Sequence, residues 1–376
     1  MVGGGDGTLT LLYVEEPKCD ELIKISLFGG IYSISPSPDG VQLMASTDKG
    51  FIYRVRAIDL SNILLNENHT DSIIAFYSLN DKYYRFGTCS LDATIRLWNL
   101  IDYSVYSRYS IGSKVLPLCL TFRDDLLISG WNDGVVRCLN TSNSECKFIK
   151  LYIFNFNILV LWSIDNCHKG AVTAMCLSNN NKFICTGGDL GEVRIWEIRS
   201  KEMKINLKEH ISRVTKVQVF SNDIHLLTSA KDRSILIWDL EKEKRIFSYN
   251  LTMGGCNNFC INPTDEEMMI SIGQDRKITQ WDLRQPKPVK QISSHPMSKV
   301  DLSDELFALA WSHDGKYIST GGNLGIIRTW DAGSLNLVGE NYAHSKTCTS
   351  LAYTYDDKYL ISTGADAQIL SFSIKN

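Results

Sequence analysis

The sequence predicts an all-β propeller, and two observations carry that reading. A short strand ending in Trp, or in an apolar stand-in, returns about every 42 residues: TIRLWN (94–99), EVRIWE (192–197), SILIWD (234–239), KITQWD (277–282) and IIRTWD (326–331). Ahead of that strand, a hydroxyl, a turn carboxylate and a His recur at fixed offsets. A period in this range marks four-stranded sheets set around a ring, because a lone sheet leaves its faces and edges uncovered until neighbours close on it.

Taking the Trp slot as anchor places units at 12, 55, 98, 139, 196, 238, 281, 330 and 372, with Leu12, Val55, Leu139 and Phe372 as degenerate occupants. The intervals are 43, 43, 41, 57, 42, 43, 49 and 42. Within one unit, VTKVQVF (214–220), HLLTSA (225–230) and SILIWDL (234–240) read as successive strands, rich in β-branched residues and parted by polar turns. SHDGKYI (312–318) and TYDDKYL (354–360) are the turns between the first and second strands of their units. Trp311 takes an inner-strand slot and is expected in the core.

His210, Thr228, Asp232 and Trp238 show every slot of the second pattern, and His69, Thr88, Asp92 and Trp98 repeat it. His344, Ser362 and Asp366 do so again, with Phe372 replacing Trp. The His-to-Asp separations are 22, 23 and 22, and Asp to aromatic is 6 each time. Such regularity suits a buried relay in which indole N–H, hydroxyl, imidazole and carboxylate satisfy one another. The hydroxyl four residues before the turn carboxylate is the best-kept slot: Thr88, Ser129, Thr186, Thr228, Ser271, Thr320 and Ser362, with Ala45 as the exception.

Other units drift. Lys49, Leu190 and Leu324 take the carboxylate slot, yet Asp48, Asp189 and Asn323 precede them and a Gly follows. The hairpin turn is therefore expected to survive where the relay does not, Gly supplying the positive φ. His168 lacks an Asp at 190, and the units near Gly112 and Gly254 lack His.

The period breaks twice. The 57-residue interval holds an anomalous insertion at about 145–162, including LYIFNFNILVLW (151–162), a run of strong β-propensity with no charge or Pro. It is too short for a membrane span, which needs about 20 apolar residues. It is either a protruding segment that docks a partner or a translated intron. The 49-residue interval carries HPMSKVDLSDE (295–305), expected as a polar surface loop.

Two closures fit the count. In the first, seven blades over 60–376 form the ring, and 1–59 are partial blades of an upstream propeller. The last unit then lacks a fourth strand, which a segment such as 60–66 is expected to donate. In the second, eight units close with 21–27 as the donated strand. Seven, the commoner ring, is the expectation. GGGDGTLTLL matches the turn and final strand of a unit, so the sequence is expected to open inside a repeat.

Composition narrows the function classes. The net charge of −3 is balanced and has no basic run, which disfavours nucleic acid and anionic membranes as partners. The opening has neither the basic nor the apolar region of a secretory leader. Eleven cysteines are scattered singly, as expected of reduced thiols in the cytoplasm. Cys256 and Cys260 have no second pair and no nearby His, and read as core thiols rather than metal ligands. No Gly-rich phosphate loop precedes a helix, so no cofactor and no small-molecule substrate is expected. The His/Ser/Asp sets superficially match a hydrolase triad, but they recur at unit positions and include Trp, so structural bonding explains them better and no catalytic residue is assigned.

The segments GGGDGTLTLL, ISGWNDGVVR, TGGDLGEVRIWEI, NLKEH, GQDRKITQW and the closing AHS…STGADAQIL together resemble the second half of tandem-propeller cilia- and flagella-associated WD-repeat proteins. The likeness covers nearly the whole chain apart from about 145–162. The resemblance implies a WD40 propeller acting as a non-catalytic scaffold in the axoneme of cilia or flagella, contacting tubulin and neighbouring proteins in doublet microtubules. Set against that family, most of an upstream propeller is expected to be missing from this sequence and 151–160 to be extra. A second class competes. Substrate receptors of cullin-type ubiquitin ligases resemble WD proteins carrying Trp-Asp-x-Arg, and this chain has Trp281-Asp282-Leu283-Arg284. Partner-contact candidates are Trp131, Met253, Arg276 and Arg284, since interface energy concentrates in aromatic and Arg anchors.

Overall fold

A computed structural model describes residues 1–15, 18–27, 29–48, 51–66, 68–78, 85–100, 104–123, 126–141, 160–294 and 304–374, and among them only strands and turns occur. The chain divides into two compact units, Met1–Thr70 and Asp71–Asn376.

The first unit holds a three-stranded sheet (Val2–Gly3, Thr8–Glu15, Lys18–Ser26) and a four-stranded one (Ile31–Pro36, Gln42–Thr47, Ile52–Arg56, Asn62–Asn66). Leu9, Leu43, Phe51 and Val55 are among the residues of its core. The last strand corrects one expectation. Asn62–Asn66 pairs antiparallel with Ile52–Arg56, and is not donated to the final sheet of the chain, which has three strands. A short turn joins the two partners, so local pairing costs far less closure entropy than a strand brought from the other end. The alternative donor fares the same way, because Lys18–Ser26 pairs with Thr8–Glu15.

The second unit contains seven antiparallel sheets in chain order: sheet one (73–110), two (117–164), three (172–207), four (214–250), five (256–293), six (306–342) and the three-stranded sheet seven (348–373). Apolar clusters join each sheet to the next, as where Phe220, Leu227 and Tyr249 of sheet four meet Phe259 and Trp281 of sheet five. The core therefore lies between sheets. The series closes on itself: Cys348–Tyr353 lies against Ile73–Ser78, and Ser72 Oγ donates to the Ala365 carbonyl at 3.0 Å.

Two bulges repeat and explain the motif. In all seven sheets the register between first and second strands slips one residue from the start, between Val214 and Lys216 in sheet four. The extra residue turns sideways, so Thr173 Oγ1 reaches the Val214 carbonyl of the next sheet at 2.6 Å, and Asn257 Nδ2 the Leu306 carbonyl at 2.7 Å. A second slip sits at the Trp slot between third and fourth strands in sheets one to six, for example between Ile237 and Trp238.

The anomalous segment falls mostly outside the described residues (142–159), as does 295–303. Its end does not: Val160–Ile164 forms the fourth strand of sheet two, paired with Val136–Asn140.

Candidate functional site

The recurring slots converge at one end of every sheet. In sheet four, Trp238 Nε1–H donates to Thr228 Oγ1 (2.8 Å), His210 Nε2 meets the same oxygen (2.9 Å), and His210 Nδ1 meets Asp232 Oδ2 (2.9 Å). Asp232 also accepts from Ser234 Oγ at 2.6 Å and from the Ile211 amide at 3.0 Å. Burial works against its charge, but His210 and Ser234 outweigh that and hold the carboxyl well below the usual range. Sheet seven repeats the relay without indole: His344 lies 2.8 Å from Ser362 Oγ and 3.0 Å from Asp366. In sheet one, Trp98 donates to Thr88 at 2.8 Å, and Asp92 faces Arg96 at 3.3 Å. His69 is buried.

The hydroxyl is the fixed point. It accepts an indole N–H in six sheets, from Trp98, Trp131, Trp196, Trp238, Trp281 and Trp330. Thr88, Ser129, Thr186, Thr228 and Ser362 are fully buried. A hydroxyl that no substrate can touch is not a nucleophile, whatever its His and Asp neighbours.

Trp131 corrects its assignment as a contact residue. It is 0% exposed, donates to Ser129 Oγ at 2.9 Å and lies under the Arg137 guanidinium. Leu139 occupies the ordinary Trp slot of that sheet, and Trp131, two residues beyond the hydroxyl, supplies the indole instead. Only the pairing of this substitution with the Leu at 139 could have signalled it.

Units read as lacking a relay have substitutes. In sheet three, His168 Nε2 and Trp196 Nε1 both meet Thr186 Oγ1, at 2.9 and 3.1 Å. Glu192 takes the carboxylate role at 3.6 Å from His168 Nδ1, with Arg194 at 2.8 Å. Those contacts are ion-pair distances without hydrogen-bond geometry, and Glu192 Oε2 and His168 Nδ1 have no hydrogen-bond partner. Burial, and then the Arg194 charge, push the His168 imidazole down to about 4. In sheet six the charges are exchanged. Asp304, 0% exposed, fills the His position and pairs with Arg328 Nη1 at 2.8 Å, while Arg328 Nε holds Glu340 at 2.8 Å.

A rule emerges that the sequence reading missed. In sheets one to four and seven the carboxylate at the turn has a cation, either the His before the sheet or an Arg at one third-strand position (Arg96, Arg137, Arg194), and in sheet six Arg328 at that position holds Asp304 instead. Sheet five is the exception, with Met253 at the His offset and Thr279 at the Arg position. Asp275 Oδ1 accepts the Lys277 amide at 3.2 Å, but Oδ2 is buried without a partner, and burial raises its carboxyl.

This end of the sheets is one continuous face. The turn between second and third strands bonds to the loop entering the same sheet every time: Leu91 to Ser72, Asn132 to Leu116, Asp189 to Ala171, Lys231 to Arg213, Gln274 to Gly255, Asn323 to Glu305 and Ala365 to Thr347. Met253 (70% exposed) and Arg276 lie on it. Beside Asp232, a shallow groove of about 290 Å³ is lined by Glu209, Ile211, Leu236 and Asn250, among others. Arg284 belongs to the opposite end, after the third strand, where it holds Asp282 at 2.8 Å and Glu267 at 2.5 Å.

Burial pushes the Cys119, Cys167 and Cys256 thiols up to about 12, as inert core groups. Among the described residues, no group of three or more His, Cys, Asp or Glu is placed to hold a metal ion.

Comparison with known proteins follows the same geometry. The WD domain, G-beta repeat family matches residues 160–197, 201–239, 286–331 and 335–372. The chain is 28% identical to human cilia- and flagella-associated protein 52 over 98% of its own length and 56% of that protein. It is 27% identical to the Chlamydomonas reinhardtii protein of that name, over 98% of this chain and 57% of the relative. Methylosome protein WDR77 of Xenopus laevis is 28% identical over 50% of this chain and 57% of its own. The chain spans little more than half the length of the ciliary relatives. The chain folds as an all-β propeller, matches the WD repeat over four segments, and is similar along nearly its whole length to the cilia- and flagella-associated proteins.

Proposed function

We propose that this chain is a non-catalytic scaffold of the ciliary or flagellar axoneme, in which the seven-sheet unit binds tubulin and neighbouring proteins of doublet microtubules. The observation that carries the reading is its similarity to ciliary proteins of human and Chlamydomonas over 98% of the chain. The buried hydroxyls add support: among the described residues, the His/hydroxyl/Asp sets of sheets four and seven are committed to bonds inside the sheets. A rigid ring suits a part that positions filaments rather than one that turns over a substrate.

Cell fractionation tests this. The protein is expected to pellet with demembranated axonemes and to remain with doublets after salt extraction. Full release with the soluble cytoplasmic fraction would refute it. The receptor alternative requires Arg284 to engage a ligase adaptor. That guanidinium is already shared between Asp282 and Glu267, which favours a local role. Capture of a cullin adaptor, lost on Arg284→Ala, would establish the alternative instead.

A further inference from the structure

At the turn between second and third strands, each of the seven sheets needs one residue at positive φ, immediately after the carboxylate slot. Sheets two, three and six use Gly134, Gly191 and Gly325, and sheets one and seven use Ala93 and Ala367. Sheets four and five use Arg233 (φ 72) and Arg276 (φ 60). A long side chain gains nothing from this conformation and is disfavoured in it. Both side chains are exposed, and neither has a hydrogen-bond or ion-pair partner among the described residues. Local structure therefore does not explain them.

Their surroundings are ordered. The Arg233 carbonyl accepts from the Leu251 amide, and Gln274 bonds to Gly255, so the two turns flank the loop that carries Met253. On the other side, the Ile211 amide donates to Asp232. Ile211 (87% exposed), Arg233, Met253 (70% exposed) and Arg276 thus form one strip alternating apolar and cationic groups. The nearby acids do not neutralise it. Asp232 is bound by His210 and Ser234, Glu209 by Arg245, Glu305 lies with Lys231, and Asp275 turns one oxygen inward.

We propose that this strip, on the end of the ring formed by sheets four and five, docks an extended partner segment that alternates acidic and apolar side chains. Carboxylates would pair with Arg233 and Arg276 while apolar groups cover Ile211 and Met253, removing exposed apolar surface that a monomeric unit gains nothing by showing. The surface is independent of whether the partner is axonemal.

The test uses fluorescence anisotropy with a labelled oligoglutamate peptide interrupted by leucines, an oligolysine peptide of matched pattern, and a leucine-free oligoglutamate. The variant Arg233→Gly/Arg276→Gly installs the residue found at this slot in sheets two, three and six, so its fold is expected to be retained. The leucine-bearing acidic peptide should bind, weaken with salt, and lose roughly tenfold or more in affinity in that variant. Met253→Ser should weaken the leucine-bearing peptide more than the leucine-free one. Equal affinity in wild type and the double glycine variant, or equal binding of oligolysine, would overturn the proposal. So would self-association in sedimentation that disappears in the glycine variant, because the strip would then be occupied by a second copy.

Discussion

Replacing Asp232 by Ala tests whether the recurring residues hold the sheets together. The carboxylate accepts from His210 Nδ1, Ser234 Oγ, the Ser234 amide and the Ile211 amide, and its side chain is 5% exposed. Its loss leaves the buried imidazole nitrogen without its carboxylate and the Ile211 amide unpaired, a cost of about 2–3 kcal/mol. Asp133 is the control at the same turn of sheet two. Its partner Arg137 lies 2.6 Å away, but the side chain is 30% exposed, so Asp133→Ala should cost about 0.5 kcal/mol. In a unit of this size one kcal/mol moves the melting temperature by about 2 °C, which predicts falls of about 4–6 °C and about 1 °C. Scanning calorimetry of both variants decides the matter, and equal shifts would refute the relay. The pH dependence adds a second check. The folded Asp232 carboxyl is held below its unfolded value, so its stabilisation is complete above about pH 4 and is lost as pH falls through the folded value. The gap between wild type and Asp232→Ala should therefore narrow in acid.

Three further outcomes are expected. Burial raises the Asp275 carboxyl, so the folded state resists its ionisation and loses stability as pH rises through that value; Asp275→Asn should stabilise at neutral pH and make no difference in acid, by melting measurements. Thr279→Arg places a guanidinium where sheets one and six carry Arg96 and Arg328, and should add about 0.5–1.5 kcal/mol, read as a higher melting temperature that Asp275→Asn cancels. His168 is held neutral by burial and the Arg194 charge, so the folded state binds fewer protons and stability falls with acidification from the ordinary imidazole range toward about 4. His168→Gln should flatten that part of the melting-against-pH curve.

Much of this was legible because a propeller writes its sheets in series. The Trp slot, the hydroxyl ten residues earlier and the Gly-bearing turn each recur, and each corresponds to a bulge, a buried acceptor or a positive φ that every sheet needs. What escaped the reading was substitution among partners. Sheet six keeps a buried ion pair, but Asp304 stands in the His position and Arg328 opposite it, so a search for His and Asp finds nothing. Sheet three moves its carboxylate to Glu192, and sheet two moves its indole to Trp131. In each case the bond is retained while the residue types or positions change, and single-slot matching cannot see that. The Arg position shared by Arg96, Arg137, Arg194 and Arg328 was visible in the sequence, and its link to a carboxylate, at the turn in sheets one to three and at Asp304 in sheet six, needed the folded contacts. Strand pairing at 62–66 was decided by a neighbouring strand rather than by the needs of the last sheet.

The central claim is that this ring is a structural part of the axoneme. A density map of doublet microtubules from cilia that contain the protein tests it most directly. The account predicts a seven-sheet ring seated against tubulin or a neighbouring filament protein at a regular axial repeat. Doublets that are fully decorated yet show no such ring, from cells in which the protein is abundant, would contradict it.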